Sequence, residues 1–183
     1  MAFNEKTFLS HFKSCLDTTK NLQIDGKTSN QVDTVRVFKA VDCCCNYQTA
    51  FFPKNGRSYW NGKDEVNGGE FLCDYTYHNE DHKVLLALES EWGTRNSAKS
   101  TVEKVIDDFK KIINMAAPVK VMVFAYTSSS NEQECLEAMQ DITRKWPQSD
   151  FDSLIAISCT WNDEMNGDTI NGYTWRNKGW CDI

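Results

Sequence analysis

The sequence predicts an α/β fold, a mixed central β-sheet flanked by helices, in a single domain spanning residues 1–183. Three observations predict it. The chain alternates helix-period and strand-period segments in the order helix, strand pair, helix, strand, helix, strand. Two of the strand segments, VKVMVFAY (119–126) and DSLIAISCTW (152–161), are almost continuously apolar, the pattern of strands buried on both faces. Finally, 183 residues with 40% hydrophobic and 25% charged side chains are enough for one core and do not ask for two.

The elements follow in order. Over 4–20, Phe8, Phe12, Cys15 and Leu16 recur at helical spacing, and the spacing predicts an amphipathic helix. NLQIDGKTSN has no periodicity and reads as a loop. Val32 to Cys45 carries Val35, Val37, Phe38, Val41 and Cys45 along a helical stripe; β-branched residues also suit a strand, but length and the Asp33 start favour a helix. NYQTAFF is expected as a short strand ended by Pro53, followed by a loop, PKNGRSYWNGKDEVNGG. That loop carries Lys54, Arg57 and Lys63 with Tyr59 and Trp60, which suit a phosphate backbone as well as a solvated turn pinned by an aromatic ring.

Residues 70–78 and 83–92 form the predicted strand pair, with HNEDH at the turn. TVEKVIDDFKKIINM (101–115) sets Val102, Val105, Ile106, Phe109, Ile112 and Ile113 on one face of a helix that ends before Pro118. After strand 119–126, Ser128, Ser129 and Ser130 read as a cap for a helix running to Trp146; they have no G-x-S-x-G context. GYTWRN (172–177) is the last predicted strand. The aromatic C-terminus, with Trp161, Tyr173, Trp175 and Trp180 among Arg176 and Lys178, is expected to cap the core or form a dimer interface, so a homodimer is among the expected assemblies.

Composition narrows the function. No apolar run reaches the roughly 18 residues that span a bilayer, and MAFNEKTFLSHFK lacks the apolar core of a secretory signal, so a cytoplasmic protein with no membrane partner is expected. The eight cysteines lie mostly in apolar stretches, three of them consecutive, and are expected as reduced, buried thiols. No CxxC pair accompanies His78 and His82, which argues against structural zinc. A formal net charge of −6 means that nucleic acid must be met through a local basic patch or a bridging metal ion.

The stretch that carries chemistry is EFLCDYTYHNEDHKVLLALESEWG, residues 70–93. Alternation along a strand points Glu89 and Glu91 to one face. With a four-residue turn, Asp74 faces Ala87 and is the diagonal neighbour of Glu89; a loop two residues tighter is expected to set Asp74 directly opposite Glu89; a slip of one residue removes Asp74 from that face. Acids converging at a strand end need a positive occupant. Mg²⁺ or Mn²⁺ is the natural one, with phosphodiester hydrolysis as the chemistry it suggests.

The succession Asp74, then LLALESEW with Glu89 and Glu91, then a helix with DDFKK, then the buried strand 119–126 resembles the PD-(D/E)XK nuclease superfamily, the restriction-endonuclease-like phosphodiesterases. The resemblance covers about residues 70–126 and implies a restriction-endonuclease-like domain and a Mg²⁺-dependent DNA endonuclease, with DNA ahead of RNA as substrate. It assigns metal binding to Asp74 and Glu89, and metal binding or general-base duty to Glu91. Glu91 stands where the commonest pattern has lysine, so a migrated lysine is sought. Lys110 on the following helix is favoured, and Lys83 and Lys111 are expected as solvated lysines. The alternative is a catalytically inactive member of the fold acting as a binding or regulatory protein.

Overall fold

A computed structural model describes residues 2–60, 73–92, 97–146, 151–160 and 165–183. Among these described residues it holds a seven-stranded mixed sheet with two helices on each face. The helices are α1 (Glu5–Thr18), α2 (Ser29–Tyr47), α3 (Ala98–Asn114) and α4 (Ser129–Lys145). The strands are β1 (Arg57–Trp60), β2 (Tyr75–His78), β3 (Val84–Glu91), β4 (Val119–Tyr126), β5 (Ser153–Thr160), β6 (Ile170–Arg176) and β7 (Gly179–Asp182).

Each helix starts where a side chain satisfies the first free amides: Asn4 accepts from Thr7, Thr28 and Gln31 form a capping box, and Ser97 and Ser128 accept from Ser100 and Asn131. The strands lie side by side in chain order, β1 to β7. The β3–β4 and β4–β5 pairs are parallel and the others antiparallel. Parallel neighbours need crossovers, and α3 and α4 supply them. Both helices fall on the same face, as crossovers of one hand stepping in one direction require.

Alternation along β4 divides the core in two. Val119, Val121, Val123 and Ala125 pack with α1 and α2, and Met122, Phe124 and Tyr126 pack with α3 and α4. All eight residues of β4 are buried, including Lys120, whose Nζ donates to the Ile113 carbonyl at the C-terminal end of α3, 2.7 Å away. Among the described residues no helix is long and apolar enough to cross a membrane.

Several expectations are corrected. NYQTAFF forms no strand: α2 runs on to Tyr47, and Gln48 to Phe52 turn back beneath Tyr77. Part of the predicted long loop is strand β1, which pairs with β2. There Trp60 packs on Phe38 and donates to Asp42, and Tyr59 meets His78 edge to face, so the aromatics anchor the sheet edge. The last strand predicted as 172–177 begins at Ile170 and turns back into β7, which the sequence reading omitted. Cys15 and Cys43 are joined by a disulfide between α1 and α2, against the expectation of reduced thiols throughout. The helical hairpin brings the two Cα atoms to 6.6 Å, a proximity that spacing along the chain does not reveal. Cys44, Cys45, Cys73, Cys135 and Cys159 are buried and form no disulfide, as expected, and Cys181 is exposed and forms none. Lys63, residues 70–72 at the start of the predicted strand pair, and Trp161 lie outside the described residues.

Candidate functional site

The site is set by the β2–β3 hairpin. Asn79 opens the turn: its side chain accepts from the Lys83 amide at 2.8 Å, and its carbonyl from the His82 amide at 3.1 Å. His82 takes a left-handed conformation with φ 61°. Leu85 then bulges, so His78 pairs with Val84 while Tyr77 pairs with Leu86 and Tyr75 with Leu88. One more step in this register sets Asp74 beside Glu89, the direct pairing, but it is reached through a five-residue connection and the bulge rather than through the tighter loop expected for it.

Asp74 does not continue the ladder. It sits in a bend, and its Oδ2 accepts from the Ser90 amide at 2.9 Å and the Ser90 hydroxyl at 3.3 Å. The carboxylate therefore satisfies an amide at the end of β3, and its position follows from that bond. Tyr75, the next residue, is fully buried and donates to Asp42 on α2 at 2.8 Å, which fixes the strand carrying Asp74.

Glu89 shares its strand face with Ala87, which packs against α3. Its side chain is 1% exposed, and neither oxygen accepts a hydrogen bond. Its contact with Asp74 is carboxyl to carboxyl, which closes as a hydrogen bond only when one of the two carries a proton. Burial, then the charges of Asp74 and Asp108, push Glu89 from an ordinary 4.5 up to about 9, against the opposing pull of Lys111. Burial also raises Asp74, partly offset by the Ser90 amide. Cys73 lies beside the pair. Burial and the charge of Glu89 raise its thiol to about 12, so it is a neutral wall.

Glu91 ends β3 and is partly buried, in register with Phe124 of β4. The next residue, Trp92, donates to Thr34 on α2 at 2.7 Å, which holds this strand end in place.

The lysine at the cluster is Lys111. Its Nζ lies 2.6 Å from Asp108 Oδ1 and 3.6 Å from Glu89 Oε2. Lys110, favoured from the sequence, pairs instead with Asp107 at 3.1 Å with its side chain 55% exposed. The phase of α3 explains the difference. At about 100° per residue, Asp108 and Lys110 fall on opposite flanks of the stripe that buries Phe109, and the Asp108 flank meets Glu89. Lys111 follows Asp108 by three residues and joins that flank. Burial works against the Lys111 charge, but the Asp108 hydrogen bond and the fields of Glu89, Asp108 and Asp74 outweigh it and raise its pKa. Sequence reasoning passed over Asp108. The signal was present in DDFKK, two Asp–Lys pairs at a spacing of three, with nothing in the pattern to say which faced the sheet.

Of the residues expected at the site, the structure brings Asp74 and Glu89 together, keeps Glu91 on the same strand end and leaves Lys110 outside. Lys83 sits on the exposed turn. Among the described residues no group of three His, Cys, Asp or Glu side chains stands ready to enclose a metal ion. The donor chemistry of Asp74 and Glu89 nevertheless fits a hard divalent cation: both offer carboxylate oxygens, and those of Glu89 are buried without a hydrogen-bond donor. His78, the other metal-type ligand near the hairpin, is held by Thr76 and the His82 carbonyl. No protein-family model matches the chain, and no curated protein matches it.

Proposed function

We propose that the protein is a metal-dependent phosphodiesterase of nucleic acid, a DNA endonuclease with a restriction-endonuclease-like fold. The observation that carries the reading is Glu89, a carboxylate buried at the C-terminal end of a central strand, with both oxygens lacking a hydrogen bond and Asp74 against it. A protein that needed only a filled core would place a leucine there. The order of parts supports the same reading: Asp74, a hairpin, Glu89 and Glu91, then α3, then a parallel β4. It is the order of the PD-(D/E)XK resemblance.

In this reading Asp74 and Glu89 hold Mg²⁺ or Mn²⁺, which supplies Lewis acidity and an activated water when bound. Ser90 orients the Asp74 carboxylate through two hydrogen bonds. Glu91, at the strand end, is a metal ligand or takes the proton from the attacking water at its carboxylate. The buried Cys73 and Ala87 exclude bulk water from the inner side.

The test is nicking of supercoiled plasmid in Mn²⁺ by the wild-type chain, Asp74→Asn and Glu89→Gln. Asn keeps an acceptor for Ser90, so loss of folding does not confuse the result. Each substitution is expected to slow cleavage by at least about 100-fold, in the range seen when metal coordination is weakened. Absence of cleavage by the wild-type chain, or equal rates in all three, overturns the assignment. A second reading, a binding or regulatory protein on the same fold, is favoured by Lys111, which sets a positive charge between Asp108 and Glu89 with no bound ion. It predicts wild-type protein without cleavage in any divalent metal.

A further inference from the structure

We infer that Lys111 is the built-in counter-ion of the acid cluster, and that a divalent ion binding to Asp74 and Glu89 must displace it from Glu89. The inference rests on the phosphodiesterase reading above. Three features of the geometry carry it.

Lys111 is anchored on one acid and leans on another. The 2.6 Å contact with Asp108 is a short charged hydrogen bond, whereas the 3.6 Å separation from Glu89 is too long for one. Lys111 can therefore leave Glu89 without losing its anchor. Its side chain is half exposed, so the flexible stem has solvent to move into, while Glu89 is buried and cannot follow.

The charges also fit a replacement. In the ion-bound state Asp74, Glu89 and Asp108 carry three negative charges, which one lysine reduces to two. With Lys111 returned wholly to Asp108, the charge left on Asp74 and Glu89 is that of two carboxylates, matched by one divalent cation. Adding the cation while Lys111 stays beside Glu89 sets like charges together at a site shielded from water, where repulsion is strongest. Lys110 shows the contrasting arrangement, a lysine paired with Asp107 alone on the solvent side of the same helix.

Asp108 is thereby a positioning residue. It holds the ammonium within reach of Glu89 in the absence of ion and receives it when ion binds.

Two measurements test the inference, neither of which needs turnover. In lysine-¹⁵N-labelled protein the ammonium signal of Lys111, assigned by its loss in Lys111→Gln, is followed as Mg²⁺ is added. It is expected to shift, while the signal of Lys104, exposed on the same helix, stays in place. Calorimetric titration with Mg²⁺ is expected to give at least about tenfold tighter binding in Lys111→Gln, with Lys104→Gln within about twofold of wild type, since a nearby charge acts far more strongly than a screened one. Lys111→Arg keeps the charge and is expected to stay within about threefold of wild type. Mg²⁺ that binds wild type without moving the Lys111 signal, and binds Lys111→Gln no more tightly, overturns the counter-ion role and leaves the metal site standing. Failure of Mg²⁺ to bind either protein overturns both.

Discussion

At Glu89 the folded state buries a carboxyl group with no hydrogen-bond donor, and burial together with Asp74 and Asp108 raises it to about 9 from an ordinary 4.5. The native protein therefore keeps a proton that the unfolded chain releases. Between about pH 4.5 and pH 9 the native state binds more protons than the unfolded state, so stability contributed by this group falls as pH rises and is gone above pH 9. Glu89→Gln removes the titration and keeps the shape. In metal-free buffer with chelator it is expected to raise unfolding stability by about 1–3 kcal/mol at pH 8, less at pH 5, because at pH 8 folding must take up a proton that the unfolded chain has released, and at pH 5 it takes up less of one. Urea unfolding at the two pH values measures it. A wild-type protein whose stability does not decline from pH 5 to pH 8 relative to the Gln variant would show that Glu89 is not the buried acid described. The same substitution is expected to abolish cleavage, so one residue would lower activity while raising stability, the pattern of a site kept for function.

At the scale of elements, the hairpin turn decides where the acids meet. The bulge at Leu85 and the left-handed His82 shift β3 by the residue that brings Asp74 against Glu89. At φ 61° a Cβ is strained, and His82→Gly is expected to add about 0.5–1 kcal/mol of stability without changing the register, measured by thermal unfolding and by retained cleavage. Loss of cleavage in a stably folded His82→Gly would mean that the His82 side chain contributes to the site. The hairpin also marks how far the sequence could be read. Alternation along LLALESE gave the shared face of Glu89 and Glu91, and the continuous apolar run of VKVMVFAY gave β4 to the residue. Both are local signals, written in a period of two or an unbroken stretch. The pairing of Asp74 with Glu89 was legible only as one of two registers, because a bulge depends on the turn geometry and leaves no pattern of its own. The choice of Lys111 over Lys110 depended on the rotation of α3 against the sheet, and the Cys15–Cys43 bond on how α1 and α2 pack. β1 was missed because Arg57 to Trp60 is short, lies at the sheet edge and is preceded by Pro53 and Gly56, so turn residues outweighed Tyr59 and Trp60.

For the whole molecule, charge sets how a polyanionic substrate could be approached. The chain carries a formal net charge of −6, and the candidate site gathers Asp74, Glu89 and Glu91 at the end of the hairpin and Asp108 of α3, with Lys111 the lysine paired to them among the described residues. If the substrate is DNA, as proposed, a chain of this net charge is expected to gain little from phosphate neutralisation by lysine and arginine and the release of condensed counter-ions. In the phosphodiesterase reading, a divalent ion at Asp74 and Glu89 would offset two of these negative charges and offer the phosphate a strong contact. Binding of DNA is therefore expected to depend on the ion before any bond is cut. A fluorescent duplex titrated with protein in Ca²⁺, which takes the same oxygen ligands, is expected to bind at least about tenfold more tightly than in chelator at the same ionic strength. Glu89→Gln is expected to lose that gain, and Lys104→Gln to keep it. Equal binding in Ca²⁺ and in chelator would mean that another surface meets the nucleic acid and that the acid cluster has no part in holding it. Tight binding in chelator that weakens steeply with salt would place the contact on lysines and arginines remote from β3, and with it the case for a site organised around Glu89 would fall.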